Sequence, residues 1–556
     1  MIYVILGVVV VIIMIFSTIY FRIQNRKKMR NRIRSQFGAI PNREFDKEDV
    51  KRLMDSEKTT YDIDDITWND LDMDKVYARI NNCNSFVGEQ ILYRRLHSVK
   101  YDSQEVEDRE NLIKEFVANE KLREDVQVTL GSLGKRENSY YLPLFMKEID
   151  IFQITNIWFY RVMSFLLAVT LILGVILNQY FLYAAGVVFL INLVVYTFGR
   201  LRLELQFGMM GTIGNVVMVA NKIIDKYKIN DGKLAGESIK SIRKMGKEIN
   251  QIALIQKKLD QSASSDMFAL IFDYLIGSTL WDFHVFYKIV KMLIANQDEF
   301  MKIYTYVGEA DVTISIASFR KSVPQYCLPC FQNDDTINFA GMYHPLISNP
   351  VCNDVKMDSN YIVTGSNASG KSTYIKAVAI NMIIAQSINT VLAESATIPH
   401  ANVLTSMAVR DDVTSGESYY IREINYLKRI IEYLTEDKLT LCIVDEILRG
   451  TNTEERIAAS VAILDYLNDK NCLAIVASHD VKISEMLAGK FENCHFSEVL
   501  EEEDILFDYK VKNGVSKSKN AIKLLKHVGF PEEIVNGAER LVSQMDSIEG
   551  GEVFKV

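Results

Sequence analysis

The chain has 556 residues, of which 49% are hydrophobic and 24% charged. That apolar content supports several cored domains, and with only 8 prolines and 27 glycines it excludes long disordered linkers. The formal net charge of −8 counts against a protein held to nucleic acid by general phosphate contact, since such proteins are usually basic.

Residues 2–21 form an almost unbroken apolar run, the length that a bilayer-spanning helix needs. A cleaved signal peptide would start with basic residues and end at a small-residue cleavage site. Here the start is uncharged and the run ends in Arg22, Arg26, Lys27, Lys28, Arg30, Arg32 and Arg34. That is the pattern of a retained anchor, residues 1–22, whose basic flank stays in the cytoplasm. The flank either fixes orientation only or also holds anionic lipid, at about 1 kcal/mol per basic residue. Residues 46–74 are rich in aspartate (Asp62, Asp64, Asp65, Asp70, Asp72 and Asp74) and read as a solvated lead into helices. From 73 to 130, apolar residues such as Val76, Ile80, Ile91, Leu92, Leu96, Leu112, Phe116 and Leu122 recur at helical spacing. Residues 23–156 are thus a cytoplasmic basic flank and helical core region.

A second apolar region, 162–198, is too long for one span and is interrupted by Asn178 and Gln179. It predicts a helical hairpin of 163–177 and 180–198, the first arm extended by 157–160 past Arg161, so that the membrane segment covers 157–200. Arg161 at one end and Arg200 and Arg202 at the other point both ends to the cytoplasm. A buried soluble hairpin is the rival, but soluble helices normally keep a polar face. Three spans put the amino terminus outside and everything from 199 onward inside.

Residues 201–335 read as a helical lever and core region, with 216–227, 239–259 and 267–295 its clearest helices. The seven cysteines are scattered, and the one close pair, Cys327 and Cys330, lacks a second ligand pair, so reduced thiols rather than a zinc site are expected. From about 338 short apolar strands (361–364, 439–444 and 473–477) alternate with helical stretches, the rhythm of a largely parallel α/β sheet.

Gly365, Ser366, Asn367, Ala368, Ser369, Gly370, Lys371 and Ser372 fit G-x-x-x-x-G-K-[ST], after a strand and before the helical run from Thr373 to Gln386. Glycines let such a loop wrap phosphates, while backbone N–H groups and the helix amino terminus supply positive potential. Lys371 should reach the β- and γ-phosphates of ATP, and Ser372 should ligate Mg²⁺. The strand 439–444 ends in Asp445 and Glu446. Asp445 suits the Mg²⁺ shell, and Glu446 suits the orientation and deprotonation of an attacking water. His479, after the strand 473–477, is placed to sense the γ-phosphate.

Around these motifs the sequence resembles the MutS family of DNA mismatch-repair ATPases, an ABC-type fold. Thr364-Gly-Ser-Asn-Ala-Ser-Gly-Lys-Ser-Thr-Tyr374 resembles T-G-P-N-M-G-G-K-S-T-Y, and Ala393-Glu-Ser-Ala-Thr-Ile398 is similar to A-E-S-A-T-I. Asp411 to Ser418, with Ser415, Gly416 and Ser418, resembles D-D-L-A-S-G-R-S, the family's counterpart of the ABC signature. Asp445 to Thr453 resembles D-E-I-G-R-G-T-S-T, and the stretches 509–514 and 529–534 resemble the carboxy-terminal dimerisation segment. The resemblance implies a phosphate-loop ATPase domain at 336–500 preceded by an all-α core and lever region, a dimerisation segment at 501–556, and ATP and Mg²⁺ as cofactors. It also implies a homodimer in which each phosphate loop, with Thr373, faces the Ser415–Ser418 signature of the partner.

The chain also departs from the family. Glu417 stands for a basic residue, Leu448 for a glycine, and Val351 for an aromatic that packs on adenine. About sixty residues precede the core region, and an anchor occupies the first of them. The expectation is therefore no mismatch-wedge domain, and DNA contact that is weak and indifferent to pairing. A membrane-anchored, MutS-like ATPase with a repair-related role on DNA is the first reading. A mechanochemical membrane switch acting on a protein or lipid is the second, and a transporter is a third, disfavoured for want of polar residues in the first span.

Overall fold

The computed structural model describes residues 17, 20–21, 23–25, 27–57, 62–99, 102–154, 156–227, 274–275, 277–366, 369–407, 419–448, 452–501, 504–515, 522, 525 and 528–549. The expected first anchor therefore lies outside the described residues except for a few at its end, and so do the helix expected at 239–259 and the start of the one expected at 267–295. The chain forms two compact units, one of residues 1–60, 77–96 and 102–324, the other of residues 61–76, 97–101 and 325–556.

The first unit is helical. It contains α1 (Lys47–Ser56), the second half of α3 (Met73–Ile80; α2, Asp65–Asp70, lies in the other unit), α4 (Phe86–Leu96), α5 (Ser103–Ala118), α6 (Glu120–Gly131), α7 (Leu142–Lys147), α8 (Ile157–Ile176), α9 (Tyr180–Arg202), α10 (Glu204–Tyr227), α11 (Trp281–Ala295) and α12 (Gln297–Ser322). The axis of the unit is α12, which packs on α4, α5, α6, α10 and α11 and is buried all round from Tyr306 to Arg320. It can be so because α4 meets it at a glycine: a Cβ on Gly88 would lie 2.5 Å from Asp311 Oδ2. The Asp311 carboxylate, fully buried, accepts from the backbone N–H of Asn84 at 2.9 Å and of Ser85 at 2.8 Å and from Ser85 Oγ at 2.6 Å. It therefore satisfies backbone donors at the start of α4 from the middle of another helix.

The hairpin forms as expected. Helices α8 and α9, of 20 and 23 residues, lie against each other and are joined by Leu177–Gln179. At 1.5 Å per residue they run about 30 and 35 Å, the thickness of a hydrocarbon core. Among the described residues these are the helices long and apolar enough to cross a membrane, and only 11% and 22% of their apolar windows are buried. The basic flank is partly engaged within the protein: Arg30 pairs with Asp125, and Arg34 with Glu124, both on α6.

The second unit is α/β. Strands β1 (Cys330–Phe331), β2 (Ile337–Met342), β3 (Asn353–Met357) and β5 (Ser395–Ile398) form a four-stranded sheet in the order β1-β5-β2-β3. Strands β4 (Asn360–Thr364), β6 (Asn402–Ser406), β7 (Thr440–Asp445), β8 (Cys472–Ala477), β9 (Phe491–Glu501) and β10 (Asp504–Asn513) form a larger one in the order β10-β9-β4-β8-β7-β6, parallel except for β10. β6, β7 and β8 are buried at every position, as parallel strands covered on both faces must be. Helix α13 (Lys371–Ile388) packs on β6, β7 and β8. Helices α14 (Tyr419–Tyr433), α15 (Thr453–Asn468) and α16 (Val481–Met486) close a core around Leu404, Val444, Leu464 and Val476, and α17 (Glu532–Glu549) is the last helix described. Cys327 is half-buried and Cys330 exposed, and no metal-holding group of histidine, cysteine and carboxylates occurs among the described residues.

Asp311→Ala leaves the N–H groups of Asn84 and Ser85 buried without their acceptor. It should cost the helical unit about 3 kcal/mol, read as a lowered midpoint of thermal unfolding of the detergent-solubilised protein. A loss below about 0.5 kcal/mol would contradict this account of how α4 is capped.

Candidate functional site

The site lies at the carboxyl ends of three adjacent parallel strands. β8 runs between β4 and β7, with Ala477 in register with Val363 on one side and Asp445 on the other. Ligands of open α/β sheets bind at this edge.

β4 ends at Thr364, and the chain turns through Gly365 at φ +136, where a Cβ would stand 2.8 Å from the Phe496 carbonyl oxygen. Ser369 Oγ donates to the Ser366 carbonyl at 2.6 Å and tightens the loop. Gly370, at φ +103, caps the amino terminus of α13, so the free N–H groups of its first turn face out of the sheet edge. Lys371 is buried. Its ammonium donates to the Gly365 carbonyl and lies 3.1 and 3.2 Å from the two ring nitrogens of His479. His479 Nε2 is in turn 2.7 Å from Glu446 Oε1. Ser372 Oγ donates to Asp445 Oδ2 at 2.7 Å. Lys371, His479 and Glu446 thus form one chain of contacts, and Ser372 and Asp445 a second beside it.

Glu446 has φ +62, a left-handed conformation that is strained for a residue with a side chain. Its N–H donates to the Ala477 carbonyl at 2.9 Å, which holds the turn. Leu448, expected in a glycine position, also lies in this region at φ +57.

Two cavities adjoin the loop. One of about 420 Å³ is lined by Gly370, Thr373, Tyr374, His344, Val351 and Tyr509. Tyr509 lies on the irregular stretch of β10, between Phe507 and Val511, where pairing with β9 slips. The Asn353 side-chain amide binds both sides of that irregularity, donating to the Tyr509 carbonyl and accepting from the Val511 N–H, each at 2.9 Å. The other cavity, of about 820 Å³, is lined by Ser372, Asp445, Lys376, Arg422, Asp70 and Asp72 among others.

The structure thus brings together Gly365, Ser366, Ser369, Gly370, Lys371, Ser372, Thr373, Asp445, Glu446 and His479. Asn367, Ala368, Ser415, Gly416 and Ser418 lie outside the described residues. The acidic stretch read as solvated is only partly so: Asp65 is exposed, but Asp70 is half-buried and accepts from Thr405 Oγ1 at 2.7 Å and from the Met407 N–H at 3.0 Å. Its partners come from β6, far along the chain, so no local pattern announced them. Tyr509 was legible only as part of a carboxy-terminal motif, and Asn353 carried no signal at all.

A family model described as MutS domain V matches residues 361–546. Residues 361–546 are thus similar to MutS domain V. The matched MutS domain V starts in β4 and ends within α17, so it takes in the phosphate loop, the acidic pair and His479. DNA mismatch repair protein MutS of Pseudothermotoga lettingae is 32% identical over 251 residues, 43% of this chain and 30% of that protein. MutS of Petrotoga mobilis is 32% identical over 276 residues, 47% and 33% respectively. MutS of Lactobacillus acidophilus is 28% identical over 298 residues, 51% and 34%. The chain spans about a third of the length of these MutS relatives.

His344, on the wall of the smaller cavity, accepts from the Leu346 N–H through Nδ1 at 3.2 Å. Burial, helped by the charge of Lys376, pushes its imidazole down to about 4 from 6.5. The unfolded chain therefore takes up this proton first, and the folded state keeps its full stability above pH 6.5 and loses it as pH falls toward 4. His344→Asn removes that titration while retaining an acceptor. Between pH 7 and pH 5 it should lose about 1–2 kcal/mol less stability than the wild type, and identical pH profiles of the unfolding midpoint would refute this.

Proposed function

We propose that the chain is a Mg²⁺-dependent ATP hydrolase that works as a homodimer at a membrane. The observation that carries the reading is the pair of side-chain contacts at one sheet edge: Ser372 on Asp445, and Lys371 through His479 to Glu446. Two hard oxygens 2.7 Å apart, Ser372 Oγ and Asp445 Oδ2, suit a small divalent cation. Mg²⁺ bound there would neutralise charge on the β- and γ-phosphates. The loop N–H groups and Lys371 bind the same phosphates, and the smaller cavity takes the base, with Tyr509 supplying the aromatic face that Val351 lacks. Glu446 orients a water and accepts its proton as the water oxygen attacks the γ-phosphorus, and ADP leaves. His479, between Glu446 and Lys371, ties the position of the base to the occupancy of the γ-phosphate site. In the dimer, the segment with Ser415, Gly416 and Ser418 faces the partner's phosphate loop, and residues 501–556 contribute to the pairing.

The membrane part of the reading rests on α8 and α9. Their outward faces are apolar, Trp158 and Tyr160 lie at one end and Tyr180 and Tyr183 at the other, as in interfacial aromatic belts. Arg161, Arg200 and Arg202 mark the cytoplasmic end, the ATPase domain is cytoplasmic, and residues 2–21 form a third span. The names of the relatives point to DNA as target. With a net charge of −8, contact with DNA is weak and salt-sensitive. The nucleotide cycle then drives either a repair-related step on DNA or, in the second reading, a membrane switch acting on a protein or lipid. Stimulation of hydrolysis by DNA at physiological salt favours the first.

Lys371→Ala should weaken ATP binding at least about tenfold. Glu446→Gln should leave binding near wild type and slow turnover at least about a hundredfold. Binding and single-turnover assays measure both, and unchanged turnover in Glu446→Gln would overturn the assignment of the base.

Asn178, at the tip of the hairpin, should face the outside of the cell. Asn178→Cys is expected to react with a membrane-impermeant maleimide in intact cells. Reaction only after lysis would sink the spanning topology.

A further inference from the structure

The α/β unit includes residues 62–76, which precede its first strand by more than 250 positions and lie outside the MutS domain V match. This strap is well anchored. Trp68 is buried and stacks on His97 with ring centroids 3.6 Å apart. Its Nε1 donates to Asp74 at 2.7 Å, and the Ile63 N–H donates to the His97 carbonyl at 3.1 Å. From that anchorage three carboxylates reach α14, β6 and α13. Asp64 pairs with Arg429 of α14 at 3.1 Å. Asp70 holds Thr405 and Met407 at the end of β6. Asp72 pairs with Lys376 at 2.9 Å, five positions after Lys371 on α13. Asp70 and Asp72 also line the larger cavity, as Ser372 and Asp445 do.

We infer that Asp72 of this strap, through Lys376, is a positioning residue that fixes the phosphate-loop helix against the Ser372–Asp445 pair. The inference rests on the hydrolase reading above. Asp72 stays ionised: burial opposes its charge, but hydrogen bonds and the charges of Lys75 and Lys376 outweigh it and hold the carboxyl at about 2. Its backbone, at φ +53, suits aspartate or asparagine, so Asp72→Asn removes the charge without adding backbone strain. Nucleotide binding comes from the loop N–H groups and Lys371, which the substitution leaves in place. The loss should therefore fall on kcat, because only turnover depends on where the helix sets Ser372 relative to Asp445.

Lys75 supplies the control, since it pairs with the same carboxylate at 2.8 Å but is 70% exposed and belongs to the strap itself. Asp72→Asn and Lys376→Gln should each lower kcat about five- to tenfold, with the ATP Kd within about twofold of wild type. The double variant should be no slower than either single one, as for two groups that act as a unit, and Lys75→Gln should match wild type. Wild-type kcat in both single variants, additive losses in the double variant, or an equal loss in Lys75→Gln would each overturn the positioning role. A destabilised fold would show as a lowered unfolding midpoint, and Lys376→Gln, at a partly exposed helix position, separates that effect from kcat. If the wild-type chain itself turns over no ATP, the hydrolase reading falls and takes this role with it. If wild type is active and the variants are unaffected, only the strap is refuted.

Discussion

One strand sets the distances of the whole site. β8 separates the strand that delivers the phosphate loop from the strand that delivers the acidic pair, so those two strand ends stand about 10 Å apart, twice the spacing of neighbouring strands. That gap is too wide for Asp445 to meet the end of β4 directly, yet Ser372 on the first turn of α13 bridges it at 2.7 Å. His479, two residues beyond the end of β8, fills the gap and touches Lys371 on one side and Glu446 on the other. Register does the rest: Ala477 is level with both Val363 and Asp445, so a slip of one residue in any of the three strands would turn a functional side chain to the wrong face of the sheet.

Much of this was legible in the sequence, for a physical reason. A phosphate loop is local: its glycines, its lysine and the strand and helix that flank it fall within one short stretch. The acidic pair sits at the end of a run that is buried on both sides, and the hairpin announces itself by length and by the absence of a polar face. What the sequence did not disclose is what depends on distant partners. The aspartates of the strap look like solvated charge, because the groups that satisfy Asp70 come from Thr405 and Met407. Asn353 looks like any polar strand residue, and only the slipped pairing of β10 gives its amide two backbone groups to bind.

The hairpin inverts the rule that governs the second unit. Its apolar side chains point out, with Val175 82% exposed, while several polar groups within its helices are turned toward protein. Asn192 is fully buried and donates to the Met163 carbonyl at 3.4 Å. Ser164 meets His284 at 3.0 Å, and Tyr196 joins Asp282 at 3.3 Å to Arg200 at 3.1 Å. In water such an arrangement would leave a large apolar surface unsatisfied. In lipid it is the stable one, because polar groups have no other place to find partners.

The departure at Leu448 shows how a motif can lose a glycine and keep its geometry. Both Glu446 and Leu448 are left-handed, at φ +62 and +57, which costs about 1 kcal/mol or more for each residue with a side chain. For Glu446 the strain has a geometric return, since a regular strand would send its carboxylate to the face opposite Asp445, and the turn, held by the hydrogen bond to Ala477, brings it to His479 instead. For Leu448 the return is burial. Its side chain is 4% exposed and joins the core with Val444, Leu464 and Val476, and burying a leucine contributes about 1.5–3 kcal/mol. Glycine would relax the backbone but leave that core one side chain short. The substitution therefore exchanges conformational ease for packing, and the turn that aims the acidic pair is held from the hydrophobic side as well as from the sheet.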